Sequence, residues 1–363
     1  MGQSYGEHLC FRIFGGSHDA TIRMTLSGFP KGVLVDPDAL QSHMRRRAPG
    51  QNAWSTPRRE ADIPEFLAGL DADGRTNGEQ IEVVIKNTDA HSVDYGFVYD
   101  TPRPGHADYP ALIKYGPDVD LRGGGRFSGR LTSLLCVAGY LSEAFLAAKG
   151  IYVGAHILSL GGVRDKPFDP VKVGTKDFQK IAQSDFPTLQ KAAAGKMISR
   201  IKEAAGEKDS LGGLIECAAT GLPVGLGEHP YGSLEASISQ MIYSVPAVKG
   251  IWFGDIPDIW LGSQNNDGYR MVQGQVRLES NHAGGILGGM STGMPLICTV
   301  AVKPTPSIGK PQHSVSLSGQ KNVDLSVPGR HDPCILPRAV PVIESAMALA
   351  LTDLLLKKDP IEG

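Results

Sequence analysis

Residues 131–153, LTSLLCVAGYLSEAFLAAKGIYV, decide the fold class. Apolar residues recur at helical spacing from Leu131 to Lys149, Gly150 stops the helix, and Ile151-Tyr152-Val153 turns β-branched and aromatic. A core helix therefore feeds a strand. Working outward, Asp36-Pro37 reads as an N-cap followed by proline at the first helical position, and it opens a helix to about Arg47. Further helices are predicted at about 187–205, after Pro187, at about 232–243 and at 339–357, the last ending in Lys357-Lys358 as the helix dipole prefers. Strands fit Ile22 to Leu26, Gln80 to Lys86, Leu214 to Ala218 and Leu296 to Lys303. Helices and strands are interspersed, so the class is mixed α and β.

The most apolar long window, Ala339 to Leu356, is interrupted by Pro341, Glu344 and Asp353. It falls short of the roughly 20 uninterrupted apolar residues that cross a bilayer, and it reads as a buried helix. The N-terminal MGQSYGEHLCFRIFGG has neither the basic start nor the apolar stretch of a secretion signal, so the expectation is a cytoplasmic protein without a membrane partner. Five scattered cysteines without C-x-x-C spacing fit reduced thiols. The 363 residues are 41% apolar and 20% charged, which suits a globular chain with a large core. Lys plus Arg number 36 against 38 acids, a net charge of −2, so no global positive field attracts nucleic acid. Gly (45) and Pro (25) make up about a fifth of the chain without marking a linker, so residues 1–363 read as a single domain. A boundary near 150–210 is the fallback.

Arginine is unevenly distributed. Of 18 arginines, ten lie between Arg45 and Arg130, where lysine occurs only as Lys86 and Lys114. A planar guanidinium grips carboxylate and phosphate bidentately, so a small polyanion is the natural guest. The triplet Arg45-Arg46-Arg47 is equally readable as a solvated helix end that favours the dipole. In RGGGRFSGR, from Arg122 to Arg130, glycines before a helix N-terminus can turn amides toward an anion, or can simply make a tight turn. His18 in GSH, His106 in RPGHAD and His331 in GRHDP sit in settings fixed by glycine or proline and can exchange protons near neutrality. SNHAGGILGG, from Ser280, admits a flat ligand close to the backbone, and Lys303-Pro304-Thr305-Pro306-Ser307 supplies a cation and two hydroxyls on a stiff loop. Neither metal-ligand spacing nor a G-x-S-x-G nucleophile is written here, and no metal is expected.

These blocks together resemble chorismate synthase. GSH, RRRAPG, RREAD, RPGHADY, KYG, RGGGR-x-SGR, PAVKG, SNHAGGILGG, KPTPSI and GRHDPC occur in that order over roughly residues 14–346. The resemblance implies conversion of 5-enolpyruvylshikimate 3-phosphate to chorismate, an anti-1,4-elimination of phosphate in the shikimate pathway of aromatic amino acid biosynthesis that needs reduced FMN without net redox change. It assigns His18 as proton donor near the substrate phosphate, His106 to the flavin ring, and Asp332 as the group that works with the flavin in removing the C6 proton. Arg126, Phe127, Ser128, Pro246, Ala247, Gly288, Lys303, Pro304, Thr305, Pro306, Ser307 and Arg330 fall on FMN-contact positions. Arg46 and Arg130 fall on substrate-anion positions, with Arg46 also at a nicotinamide-cofactor contact. The implied fold is α+β: a single large β-α-β sandwich, helices between antiparallel sheets, with internal pseudo-duplication and a homotetrameric assembly. Flavin reduction is expected from an external reductant, with NADPH as indirect source.

The chain departs from the family pattern at three places. Gly16 stands where an acid is common and Asp19 where a second glycine is; an arginine common beyond the RRR motif falls near Ala53; and Leu131 replaces an acid. Two rival readings are an FMN oxidoreductase consuming NAD(P)H and a non-catalytic polyanion-binding protein.

Overall fold

Asp36 caps the first helix through its carboxylate, which accepts from the amides of Asp38 (2.9 Å) and Ala39 (3.2 Å), and Pro37 supplies a pre-set φ. That helix, α1 (Pro37–Arg47), lies between the second and third strands of an antiparallel sheet: Cys10–Phe14 (β1), Thr21–Ser27 (β2), Pro64–Ala68 (β3) and Ile81–Lys86 (β4). A crossover carrying Asp108–Tyr115 (α2) leads to the long helix α3 (Thr132–Ala147). The computed structural model describes residues 4–50, 52, 60–88, 93–255, 261–327 and 331–357.

The chain then enters a second antiparallel sheet. Its strands are Tyr152–Leu160 (β5), the short Val163–Arg164 (β6), Gly213–Thr220 (β7), Val248–Phe253 (β8) and Leu296–Val302. Between them come Thr175–Ala182 (α4), Lys191–Gly206 (α5), Leu234–Tyr243 (α6) and Gly262–Asn265 (α7), together with the hairpins Tyr269–Val272 (β9) with Gln275–Leu278 (β10) and Ile286–Leu287 (β11) with Met290–Ser291 (β12). Leu296–Val302 is therefore β13; after it come the hairpin Gln312–Ser316 (β14) with Lys321–Leu325 (β15) and the last helix, α8 (Leu336–Leu356).

The two sheets repeat one plan. The first runs β1-β2-β4-β3; the second, leaving β6 aside, runs β5-β7-β13-β8. In each, a helix follows the second strand (α1, α6) and a long helix follows the fourth (α3, α8). The pseudo-duplication implied by the family resemblance is thus visible in topology. α3 touches β2 of one sheet and β5 of the other, and α8 packs on α1, α3, α6, β5 and β7, so the helices form the middle layer. Apolar side chains of both sheets and these helices make one continuous core.

α8 is buried along almost its whole length, which explains its apolar character on every face; each buried Leu, Ile or Met contributes roughly 1.5–3 kcal/mol. By length and composition Gly129–Ala147, which includes α3, and α8 could each cross a bilayer, but both are mostly packed inside the protein. α8 continues through Pro341 and begins at Leu336, three residues before the expected start. α5 begins at Lys191 and not at 187, because the preceding residues are tied elsewhere. Pro187 O accepts from Ile157 N (2.8 Å), and Asp165 takes the amides of Leu189 (2.6 Å) and Gln190 (3.1 Å).

α3 and α8 meet at Gly139. A Cβ there would lie 2.1 Å from Ser345 Cβ and 2.5 Å from its Cα. Gly139→Ala is expected to destabilise the protein by at least about 1 kcal/mol, although alanine is intrinsically about 1 kcal/mol better in a helix. Gly195, inside α5, would meet nothing within 4 Å, and its alanine variant should be neutral or stabilising. Denaturation midpoints of both variants check this; a shift of the same sign in both would mean that close approach is not what demands Gly139.

Candidate active site

The two equivalent crossovers, 87–131 from β4 to α3 and 303–335 from β13 to α8, meet face to face. Lys303 Nζ donates to Gly105 O (2.6 Å), and His106 Nε2 lies 2.8 Å from Ser307 Oγ. Gly105 has φ +73 and no room for a side chain, since a Cβ would sit 2.8 Å from Pro306 Cβ. Farther out, the Asp100 carboxylate accepts from Ser316 Oγ (2.9 Å) and Ser318 N (2.7 Å), and Ser314 Oγ donates to Pro102 O (2.5 Å), which pins the β14–β15 hairpin to the first crossover.

Burial, then the Arg103 guanidinium, hold the His106 pKa down to about 4, with Asp108 opposing and Lys303 and His331 adding to the depression. Its imidazole is therefore neutral at pH 7. Arg103 is itself fixed by the buried Asp108 through two bonds, Nε to Oδ2 (2.7 Å) and Nη2 to Oδ1 (2.8 Å), so the acid of RPGHAD serves the arginine. Asp332 lies just outside α8, as a residue before proline should. Its Oδ2 accepts from Arg338 Nη1 (2.6 Å), while Oδ1 takes a longer bond from Cys334 N (3.3 Å). Burial raises the Asp332 pKa, opposed chiefly by Arg338.

His18 sits on the turn between β1 and β2. Ser17 Oγ donates its single proton to Arg122 O (2.9 Å), so toward His18 Nδ1, 3.1 Å away, it can only accept. Nδ1 of His18 therefore carries the hydrogen of the neutral ring, and Nε2 is its acceptor nitrogen. The glycines of RGGGR make room for this turn. A Cβ on Gly123 (φ +55) would lie 2.2 Å from His18 Cε1 and 2.9 Å from Ser17 Oγ, and one on Gly125 (φ +50) would lie 2.0 Å from Asp120 O. The displaced acid of this chain has local work: Asp19 Oδ2 accepts from Gly16 N (2.7 Å) and closes the turn.

Beside this turn opens a cleft of about 790 Å³. Arg126, Ser128 and Pro246 line it, over an apolar floor that includes Phe11, Leu131 and Met241. Leu131, where the family pattern has an acid, thus removes a negative charge from this wall. Arg126 is exposed, with its guanidinium 5.4 Å from the Tyr115 ring centroid, and Phe127 packs beside the small cluster of Val98, Ala111 and Leu121. Pro246 leads to Ala247, held at φ +75, whose carbonyl accepts from Lys303 N (2.9 Å); the cleft and the Lys303–Ser307 loop are therefore contiguous. Pro304 is exposed on that loop, and Thr305 O accepts from Ser210 Oγ (2.6 Å). Thr305 Oγ1 is buried with no partner among the described residues, an arrangement that suits a ligand hydrogen bond.

Three expected contacts are placed elsewhere. Gly288 lies in the β11–β12 turn at the N-terminal end of α6, where Gly289 O accepts from Leu234 N (3.0 Å), about 15 Å along the helix from the end that leads to Pro246. The Arg46 guanidinium is held bidentately by Glu344 (2.6 and 2.9 Å), at the edge of a recess of about 270 Å³ that it shares with Arg45 and Arg338. Arg130 is buried, with its donors engaged by Glu60 (2.7 Å), Asp62, Asn87 Oδ1 (2.7 Å) and Lys86 O (3.3 Å). Arg330 and Ala53 lie outside the described residues. Glu60 and Asp62 of RREAD, Asn87, Arg338 and Glu344 were not singled out from sequence. Each is a partner of an arginine, and only the fold pairs them.

A family model described as chorismate synthase matches residues 9–356. The chain is 42% identical over 364 residues to the chorismate synthase of Methanococcoides burtonii, covering 99% of this chain and 97% of that one. It is 40% identical over 367 residues to that of Lancefieldella parvula, covering 98% and 96% respectively. A crystal structure of chorismate synthase matches with a TM-score of 0.74 at 26% identity, covering 97% of this chain and 93% of the other.

If Gly123 is needed to admit the His18 ring, Gly123→Ala must displace it, whereas Gly124→Ala meets nothing closer than 3.7 Å and bears only the cost of its φ of +88, about 1–2 kcal/mol. The imidazole Hε1 resonance of His18 is expected to move in the first variant and stay in the second. Equal shifts in both would make the glycines a backbone requirement alone.

Proposed function

The chain belongs to the chorismate synthase family, and we propose that it eliminates phosphate from 5-enolpyruvylshikimate 3-phosphate to give chorismate, in the shikimate pathway to the aromatic amino acids. The observation that carries this reading is the meeting of the two crossovers, which joins His106 and Lys303–Ser307 to a cleft rimmed by Arg126, Ser128 and Pro246. An aromatic ligand with an anionic tail suits this site: the floor is apolar, Arg126 and Lys303 supply cations, and Thr305 Oγ1 offers an unmatched hydroxyl. Reduced FMN, when bound, supplies transient electron density to the substrate and is returned unchanged.

The residues divide the rest of the work. His18, with its Nδ1 hydrogen held toward Ser17, acts as the imidazolium: it gives the Nε2 proton to the departing phosphate and is left as the neutral Nδ1–H ring. His106, neutral at rest, gains a proton when anions arrive beside it, because nearby negative charge favours the imidazolium. Asp332 takes the C6 proton on Oδ1 while Arg338 holds Oδ2. The C6–H bond and the C–O bond to phosphate both break, and no net oxidation results. The whole of residues 1–363 acts as one catalytic unit, with electrons from an external reductant and NADPH as their indirect source. A homotetramer is supported by apolar side chains exposed on the β9–β10 hairpin, Met271 at 70% and Tyr269 at 65%. Five free cysteines suit a reducing cytoplasm. The full-length family match does not favour the oxidoreductase or the polyanion-binding alternative.

An anaerobic assay with FMN and dithionite, following chorismate absorbance and phosphate release together, tests the activity. Equimolar products without stoichiometric NAD(P)H use are expected; FMN-dependent NAD(P)H oxidation without chorismate would overturn the reading. Asp332→Asn should bind FMN and substrate within about threefold of the parent yet lose at least ~10² in single-turnover rate, since the amide keeps the shape and cannot accept a proton. Weakened binding with an unslowed chemical step would instead make Asp332 a structural partner of Arg338.

A further inference from the structure

The His18 turn belongs to no helix or strand, so its position depends on what holds it. Ser17 secures one side, donating through its amide to Gly125 O (3.2 Å) and through its hydroxyl to Arg122 O. Asn87, the residue after β4, secures the other. Its Nδ2 donates to Asp19 O (2.7 Å) and reaches Gly16 O (3.4 Å), and its amide donates to Ala20 O (3.0 Å). Its Oδ1 accepts from Arg130 Nε (2.7 Å). The orientation of the carboxamide follows from chemistry: an arginine only donates, so the oxygen must face Arg130 and the NH₂ must face the turn.

Behind Asn87 stands a chain of ion pairs and hydrogen bonds, buried at Asp62 and Arg47 and partly exposed at Arg338 and Asp332. Arg130 pairs with Asp62, whose other oxygen accepts from Arg47 Nη1 (2.7 Å); Arg47 O accepts from Arg338 Nε (3.0 Å), and Arg338 holds Asp332. Buried pairs of this kind add little net stability, because desolvation offsets the attraction. Their effect is to hold groups in place, and this one runs without interruption from Asp332 to the turn that carries His18.

We propose that Asn87 is a positioning residue for His18: its carboxamide ties the His18 turn to the anchored Arg130 guanidinium and so sets the imidazole relative to Asp332. Asn87 itself touches no reacting atom. Its consequence for turnover rests on the reading of His18 as proton donor; the tie does not.

Asn87→Asp keeps an acceptor for Arg130 Nε and loses the donor to Asp19 O, while Asn87→Ala loses both. Among the described residues, the charged and aromatic groups facing His18 include Asp120, whose pKa it helps lower, and Tyr95, whose ring centroid lies 5.1 Å away. In full-length protein that stays folded by thermal melting, both variants are expected to shift the His18 imidazole resonances and their titration midpoint, with His18→Ala assigning the signal. Turnover should fall roughly 10–100-fold with KM within about threefold, as for a misplaced catalytic group. Unaltered His18 resonances in both variants would sink the proposal whatever the rates do. Turnover that falls only in step with the folded fraction, with an unchanged pH profile, would make Asn87 a scaffold residue. Wild-type turnover in His18→Ala would remove the proton-donor reading alone, leaving the resonance shifts to judge the tie.

Discussion

Everything at the site depends on how closely α3 approaches α8. Gly139 lets the α3 backbone come up against Ser345, and no residue with a side chain could do the same without moving one helix. Each of these helices ends the crossover of its own half. Packing them together brings those crossovers, 87–131 and 303–335, to one place, and the contacts that define the site are contacts between them: His106 with Ser307, Lys303 with Gly105, Ser316 with Asp100. The candidate site of this chain thus lies at the seam between two copies of one plan.

The arginines show how residue type and residue role separate. Their concentration before Arg130 reads naturally as a polyanion site, yet Arg46, Arg47, Arg103 and Arg130 all have carboxylate partners within the protein. A buried guanidinium without such partners would cost several kcal/mol, so each has an acid beside it, from the same motif for Arg103 and Asp108 and from a far segment for Arg46 and Glu344. The fork geometry suited to a substrate phosphate suits Glu344 or Asp108 equally well. Among the described residues around the cleft, the exposed Arg126, Lys303 and the histidines are left for a ligand.

Local signals in the sequence carried much of the fold. The Asp36-Pro37 cap, the Gly150 stop and the β-branched runs fall on α1, the end of α3 and β2, β4, β7 and β13, because each rests on interactions within a few residues. The duplication left no such trace, since equivalent strands share their neighbours in space and not their side chains. For the site, motifs marked His106, Lys303 and Ser307, which do meet, but not the groups that hold the machinery in place. Asn87 is an ordinary residue after a strand until the fold sets it between Arg130 and the His18 turn. The glycines of RGGGR were visible as a concavity; that much of the concavity accommodates a histidine ring is a tertiary fact.

Charge is the last constraint. Burial and Arg103 hold the His106 pKa down to about 4, and burial raises that of Asp332, so in both groups burial opposes the charged form. Anions entering beside His106 favour its protonated form, and every unit by which they raise its pKa is about 1.4 kcal/mol of coupling between anion and proton. Arg46, Arg47, Arg103 and Arg130 are already occupied by carboxylates, which leaves Arg126 and Lys303 among the described residues to meet those anions. A proton taken up by His106 adds to that compensation. On the proposed reading, an imidazolium at His106 forms most readily when the anionic ligands are present, and the carboxylates that engage Arg130 leave more of that response to the histidine.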